Sequence, residues 1–112
     1  MMRARFNLWL ERNGKVVLSV WRVRLLEAIA STGSITAAAE EMQVPYRRAW
    51  EKLQEMEEGM GKQLIETEVG GAGGGGARLT SVAIDLIRRF KAFSDGMEDE
   101  IEERFQRNFT LE

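Results

Sequence analysis

Two adjacent arginines, Arg47 and Arg48, follow Pro45 and Tyr46 where the spacing starts a helix. A guanidinium pair at a helix N-terminus reaches phosphate oxygens or the O6/N7 edge of guanine, and a tyrosine ring there can lie on a thymine methyl or a sugar. Further along, Gly70–Gly76 is glycine at every position except Ala72. Backbone N–H groups so lightly covered can approach phosphates closely, steered here by Arg78. Ser34 and Thr36 open another helical run; they read first as caps, and with the local amides can also hold a phosphate. All of this is binding chemistry. The chain has no cysteine and no histidine, which removes thiol nucleophiles, imidazole bases, disulfides and the usual zinc ligand sets. No spacing singles out a hydroxyl with a lysine as nucleophile and base. The expectation is a non-enzyme with no metal and no other cofactor.

Each feature also has a plainer explanation. Taken alone, the arginine pair is a solvated helix face. The glycine tract contains a literal G-x-G-x-x-G at Gly71, Gly73 and Gly76, but low complexity guarantees it, and 112 residues are too few for a βαβ sheet with its ribose-binding acid. Trp9, Trp21 and Trp50 each fall within an apolar periodicity and read as core. The order of elements decides between these meanings.

Residues 4–20 read as a β-hairpin: Phe6, Leu8 and Leu10 alternate on one side, Asn13-Gly14 turns, and Val16, Leu18 and Val20 return, with Trp9 and Val17 on the other face. Residues 21–58 read as three helices. The first carries Val23, Leu26 and Ile29-Ala30 and stops at Gly33. The second, capped by Ser34 or Thr36, turns Ile35, Ala38, Ala39 and Met42 inward. The third has Pro45 in its first turn and an apolar stripe of Ala49, Trp50, Leu53 and Met56 to about Glu58. Only Gln43 and Val44 separate the last two. Residues 64–80 form a second hairpin, Leu64–Val69 pairing with Ala77–Thr80 across the glycine tract.

A last helix over 81–108 carries Leu86, Phe90, Phe93, Met97, Ile101 and Phe105 at three- and four-residue steps; at ~1.5 Å per residue it is a rod on the order of 40 Å long. So small a core cannot cover that stripe, so these six residues are expected to pack on a second copy. The fold class is mostly α with small β hairpins, a single winged helix-turn-helix domain with a long C-terminal dimerisation helix. Two short helices joined tightly cross steeply and push the start of the second outward, where it can enter a major groove.

Charge is unevenly divided. The whole chain is −2, residues 93–112 are −5, and the first 92 residues are therefore +3. A nucleic-acid binder of this composition must use a local basic face. The start of the chain lacks the apolar stretch of a secretory signal, and no run of roughly 18 apolar residues is present, so a cytoplasmic protein without a membrane partner is expected.

The residues themselves look familiar. Leu25–Ala39 resembles the opening of LysR-type helix-turn-helix domains. Val44–Met56, followed by Gly70–Gly76 and Ala77-Arg78-Leu79-Thr80, resembles the N-terminal DNA-binding domain of molybdate-responsive (ModE-type) transcriptional regulators. The likeness covers roughly residues 4–93; its signature is the S-Y-x-x-A-W helix with a polyglycine wing, and Pro45 here replaces the usual serine. It implies a homodimeric DNA binder whose third helix reads the major groove. By the same resemblance Pro45, Tyr46, Arg47 and Glu51 contact the groove, Ser34, Thr36 and Lys52 the phosphates, and Gly73, Gly74, Gly75, Gly76 and Arg78 form the wing contact. The serine hydroxyl lost at 45 removes one donor. Oxyanion binding in larger members belongs to C-terminal domains for which these 112 residues have no room, so the chain is expected to lack its own molybdate-binding domain and either to act constitutively, to take its signal from an effector-sensing partner, or to be regulated by its abundance. The first function is a double-stranded-DNA-binding transcriptional regulator. A winged-helix module that dimerises and binds protein is the alternative, supported by the acidic balance. Small-ligand sensing in the dimer crevice is a third.

Overall fold

Asn13 (φ 53°) and Gly14 (φ 77°) both take positive φ, the twist that a tight hairpin turn requires. In the computed structural model, which describes residues 2–68 and 75–109, they join β1 (Trp9–Arg12) to β2 (Lys15–Ser19). The pairing is antiparallel: Leu10 faces Leu18 and Glu11 faces Val16, leaving Val17 as the extra residue of a bulge. A bulge breaks strict alternation. Val17 and Leu18 are therefore both buried, whereas Val17 was expected on the outer face. The hairpin is also shorter than the expected 4–20: Phe6 lies ahead of it, and Val20 begins the next helix.

Ser19 ends β2 and caps α1 (Val20–Thr32), its Oγ accepting from the Arg22 amide at 3.1 Å. Val23, Leu25, Leu26, Ala28 and Ile29 bury one side, and the Gly33 amide closes the helix on the Ile29 carbonyl. Of the two candidate caps, Ser34 holds α2 (Ile35–Glu41) by accepting from Ala37 at 3.0 Å, and Thr36 is exposed in its first turn. Ile35, Ala38 and Ala39 are buried as expected.

The turn to α3 (Tyr46–Met60) is longer than two residues: it runs over 42–45, with Gln43 left-handed at φ 59°. Pro45 stands one place before the helix as its N-cap and supplies no side-chain acceptor. The helix continues past Glu58 to Met60 and ends at Gly61, because Gly59 is helical and lies against β2. Two indoles expected in the core are outside it: Trp9 is 45% and Trp50 41% exposed, while Trp21 is half-buried against the core.

The second hairpin pairs β3 (Ile65–Glu68) with β4 (Gly76–Leu79), Ile65 opposite Leu79 and Glu68 opposite Gly76. The Glu57 carboxylate orders its entry by accepting from the Leu64 and Ile65 amides at 2.8 and 3.1 Å. Thr80 N–H to Leu64 O at 2.9 Å continues the ladder by one pair, and Ala77 N–H to Gly33 O at 2.8 Å fastens the hairpin to the end of α1.

The long C-terminal helix is present as a helical arm, but not as one rod. α4 (Ser81–Ser94) and α5 (Met97–Phe109) meet at Asp95-Gly96, where Gly96 adopts φ 81°, a conformation that interrupts a right-handed helix. Ala83 and Phe90 of α4 are buried in the common core, and a Lys91–Glu27 ion pair ties α4 to α1. α5 buries nothing. The radius of gyration is 17.2 Å, against about 13 Å for a compact chain near this length, because the arm projects.

Candidate nucleic-acid interface

The site is built on α3. Successive residues of a helix turn by about 100°, so Ala49, Leu53 and Met56, all buried, fix which side faces inward. Diametrically opposite is a crest of Arg47, Glu51 and Gln54. Tyr46 and Trp50 form one shoulder; Arg48, Lys52 and Glu55 form the other.

Arg47 projects fully: its side chain is 90% exposed, with only a 3.4 Å surface contact to Glu51 one turn on. Tyr46 and Arg48 are exposed; the Arg48 amide donates to the Pro45 carbonyl at 3.0 Å, while its guanidinium makes no hydrogen bond or ion pair among the described residues. Lys52 is more sheltered, its ammonium 3.4 Å from the Glu55 carboxylate. The structure thus brings Tyr46, Arg47, Arg48, Glu51 and Lys52 together on one outward surface, and Pro45 stands at its tip.

Ser34 and Thr36 lie at the start of α2. The Ser34 oxygen already accepts from Ala37, which leaves its hydroxyl hydrogen to donate. Because Ala77 is bonded to Gly33, the loop end of the β3–β4 ladder sits beside that same helix start. Arg78 points outward from β4, 70% exposed, and pairs with Glu66 of β3 at 3.0 Å. Gly75 is exposed and Gly76 half-buried; Gly73 and Gly74 lie outside the described residues.

The six expected dimer positions divide. Phe90 is 4% exposed and belongs to the chain's own core, and Leu86 packs half-buried against it. Phe93 is exposed. Met97, Ile101 and Phe105 are half-buried along α5, where the Phe105 and Phe109 rings stack at 5.4 Å. Residues 2–6 run beside α5, so that Phe6, Ile101, Phe105 and Phe109 line an open groove rimmed by Arg3 and Arg5 on one side and Glu98, Asp99 and Glu102 on the other.

Sequence reasoning missed two residues that matter here. Arg22 is buried on α1 and donates to the Val16 and Val17 carbonyls of β2 at 3.0 and 3.3 Å and to Glu55 Oε1 at 2.7 Å. Burial alone would push the Glu55 carboxyl up, but the Arg22 hydrogen bond and the Lys52 and Arg22 charges bring it below the ordinary glutamate range. Arg22 and Glu55 are 33 positions apart, and no local pattern joins them. Trp50 was legible: Ala49, Leu53 and Met56 already fill the inward face, and position 50 lies about 100° from Ala49.

The profile of bacterial regulatory helix-turn-helix proteins of the lysR family matches residues 21–83. The chain is 40% identical over 88 residues to the molybdenum-pterin-binding protein MopB of Rhodobacter capsulatus, covering 79% of this chain and 32% of that one. It is 36% identical over 89 residues to the DNA-binding transcriptional dual regulator ModE of Escherichia coli K12, covering 80% and 34%. The chain therefore spans about a third of the length of the curated relatives it matches. Among solved structures it is similar to ArgP from Mycobacterium tuberculosis (TM-score 0.52, 25% identity, 71% of this chain and 28% of that one). It also shares its fold with the CbnR DNA-binding domain, whose structure is a DNA complex (TM-score 0.55, 22% identity, 70% and 88%).

Proposed function

Since the chain belongs to the bacterial regulatory helix-turn-helix proteins of the lysR family, we propose that it acts as a homodimeric, sequence-specific regulator of transcription that inserts the N-terminal half of α3 into the major groove of duplex DNA. The outward projection of Arg47, with Arg48 beside it and Tyr46 before it, carries this reading. In that pose the crest faces base edges, Arg48 and Lys52 face phosphates, and Ser34, Thr36, Arg78 and the glycines of the wing grip the backbone on either side. The names of its relatives point to molybdenum-related genes as those it regulates, and the cytoplasm is where it would meet them.

A second copy completes the assembly. An isolated helix of 13 residues is marginal in water, and α5 leaves Met97, Ile101 and Phe105 only half-buried and Phe109 exposed. Packing against its symmetry mate covers that stripe and sets two α3 helices on one duplex. Selecting bound sequences from a random duplex pool tests both parts: a two-fold symmetric consensus is expected, and its half-site spacing reports the dimer. No enrichment, with no binding even at low salt, would move the chain to the class of protein-binding winged helices.

A further inference from the structure

We propose that Trp50 is a DNA-backbone contact, its indole N–H donating to a phosphate of the strand that borders the groove on the Tyr46 side of α3. This rests on the DNA-binding function proposed above and adds to it a residue that the sequence reads as core.

Three observations carry it. First, the indole is 41% exposed and stands outside the core cluster, although the inward face of α3 beside it is tightly filled. Second, its N–H has no acceptor among the described residues, whereas the other exposed indole, Trp9, donates to Glu11 Oε2 at 2.7 Å. An indole nitrogen only donates and an ionised phosphate oxygen only accepts. Third, the two shoulders of α3 differ in chemistry. A helix in the major groove has a phosphate strand along each side. Arg48 and Lys52 face one strand with charge; Tyr46 and Trp50, one turn apart, offer the other a phenol, an indole N–H and a flat apolar surface that keeps water from the bond.

The nature of the donor makes this distinguishable from the rest of the interface. Neutralising a phosphate with lysine or arginine releases a counterion and steepens the salt dependence by about 0.9 per contact. A neutral donor releases none. Trp50→Phe, which keeps a ring and loses the N–H, is therefore expected to weaken binding on the order of tenfold on both a random-sequence duplex and the selected one, with an unchanged salt slope and melting temperature. Lys52→Ala should flatten the slope instead. In a Trp9→Phe/Trp21→Phe protein, the remaining Trp50 emission should change saturably on adding duplex.

If Trp50→Phe binds as tightly as the unsubstituted protein while Arg47→Ala is weakened, DNA binding stands and the Trp50 contact falls. If Trp50→Phe turns a dimer into a monomer on sedimentation, the shoulder is a subunit contact and the proposal is overturned. Absence of binding by the unsubstituted protein at low salt would overturn the underlying function itself.

Discussion

The Arg22 guanidinium on α1 lies 2.7 Å from the Glu55 carboxylate on α3 and at the same time holds two carbonyls of β2. One buried cation thus ties together three elements, and it fixes the roll of α3 about its own axis. That roll decides which residues stand on the crest.

Arg22→Ala takes a donor from two carbonyls and leaves the Glu55 carboxylate with only its 3.4 Å contact to Lys52. The Arg22 side chain is 8% exposed and that of Glu55 46%, so the loss is set at about 2–3 kcal/mol, below that of a fully buried pair. Arg22→Met fills the same volume and should cost less than Arg22→Ala. Urea unfolding of the three proteins checks the order.

Glu55 also gives stability a direction with pH. Its carboxyl titrates lower when folded than when unfolded: burial opposes this, but hydrogen bonding to Arg22 and the charges of Lys52 and Arg22 outweigh it. The unfolded chain then binds more protons on acidification, so this stabilisation is complete above the ordinary glutamate range and is lost as pH falls through the lowered value. Asp85, held down by hydrogen bonds from Arg89 and Arg88, acts with the same sign on the surface. Denaturation midpoints should fall on acidification, and the fall should be shallower in Glu55→Gln, which keeps an acceptor for Arg22 but does not ionise.

Gly59 shows how closely α3 meets the first hairpin. A Cβ built there lies 2.7 Å from Val17 Cγ2 and 3.1 Å from Cγ1. Alanine in a helix normally gains about 0.5–1 kcal/mol over glycine, but overpacking a stiff valine costs about 1–3 kcal/mol, so the clash wins. Gly59→Ala should destabilise, and the penalty should shrink or reverse in a Val17→Ala background, which thermal melts of the double-mutant cycle measure directly.

The same valine explains where sequence patterning fails. Alternation along β2 assigns Leu18 inward correctly and Val17 outward wrongly, because nothing in the residue types announces the bulge opposite Leu10 and Glu11. Helix boundaries marked by Ser34 and Gly33 are legible, since each closes its helix by its own hydrogen bond. The α3 end is misplaced because two glycines compete, and packing against Val17 keeps the first one helical. Arg47 and Arg48 could be placed from local order alone, whereas the buried cation behind them depends on a carboxylate brought in by the fold.

Two phenylalanines and an isoleucine of the C-terminal arm should part company under charge. Phe90→Asp puts a carboxylate into the core and should prevent folding. Ile101→Asp and Phe93→Asp alter only the surface stripe and should melt near the original temperature while sedimenting as monomers. A dimer that survives both would remove this stripe from the interface.

Crest and shoulder positions should respond differently to DNA sequence. Arg47 is free to reach a base edge, held only by Glu51 at 3.4 Å, and a bidentate contact to guanine discriminates by about 1–3 kcal/mol. Arg47→Ala should therefore lose that much on the selected duplex and far less on random DNA. Lys52 must leave Glu55 to reach a phosphate, so Lys52→Ala should weaken both duplexes alike and lower the salt slope by about 0.9. Equal losses on both duplexes for Arg47→Ala would make it a phosphate anchor, and base reading would then fall to Glu51 and Gln54, the other two residues of the crest.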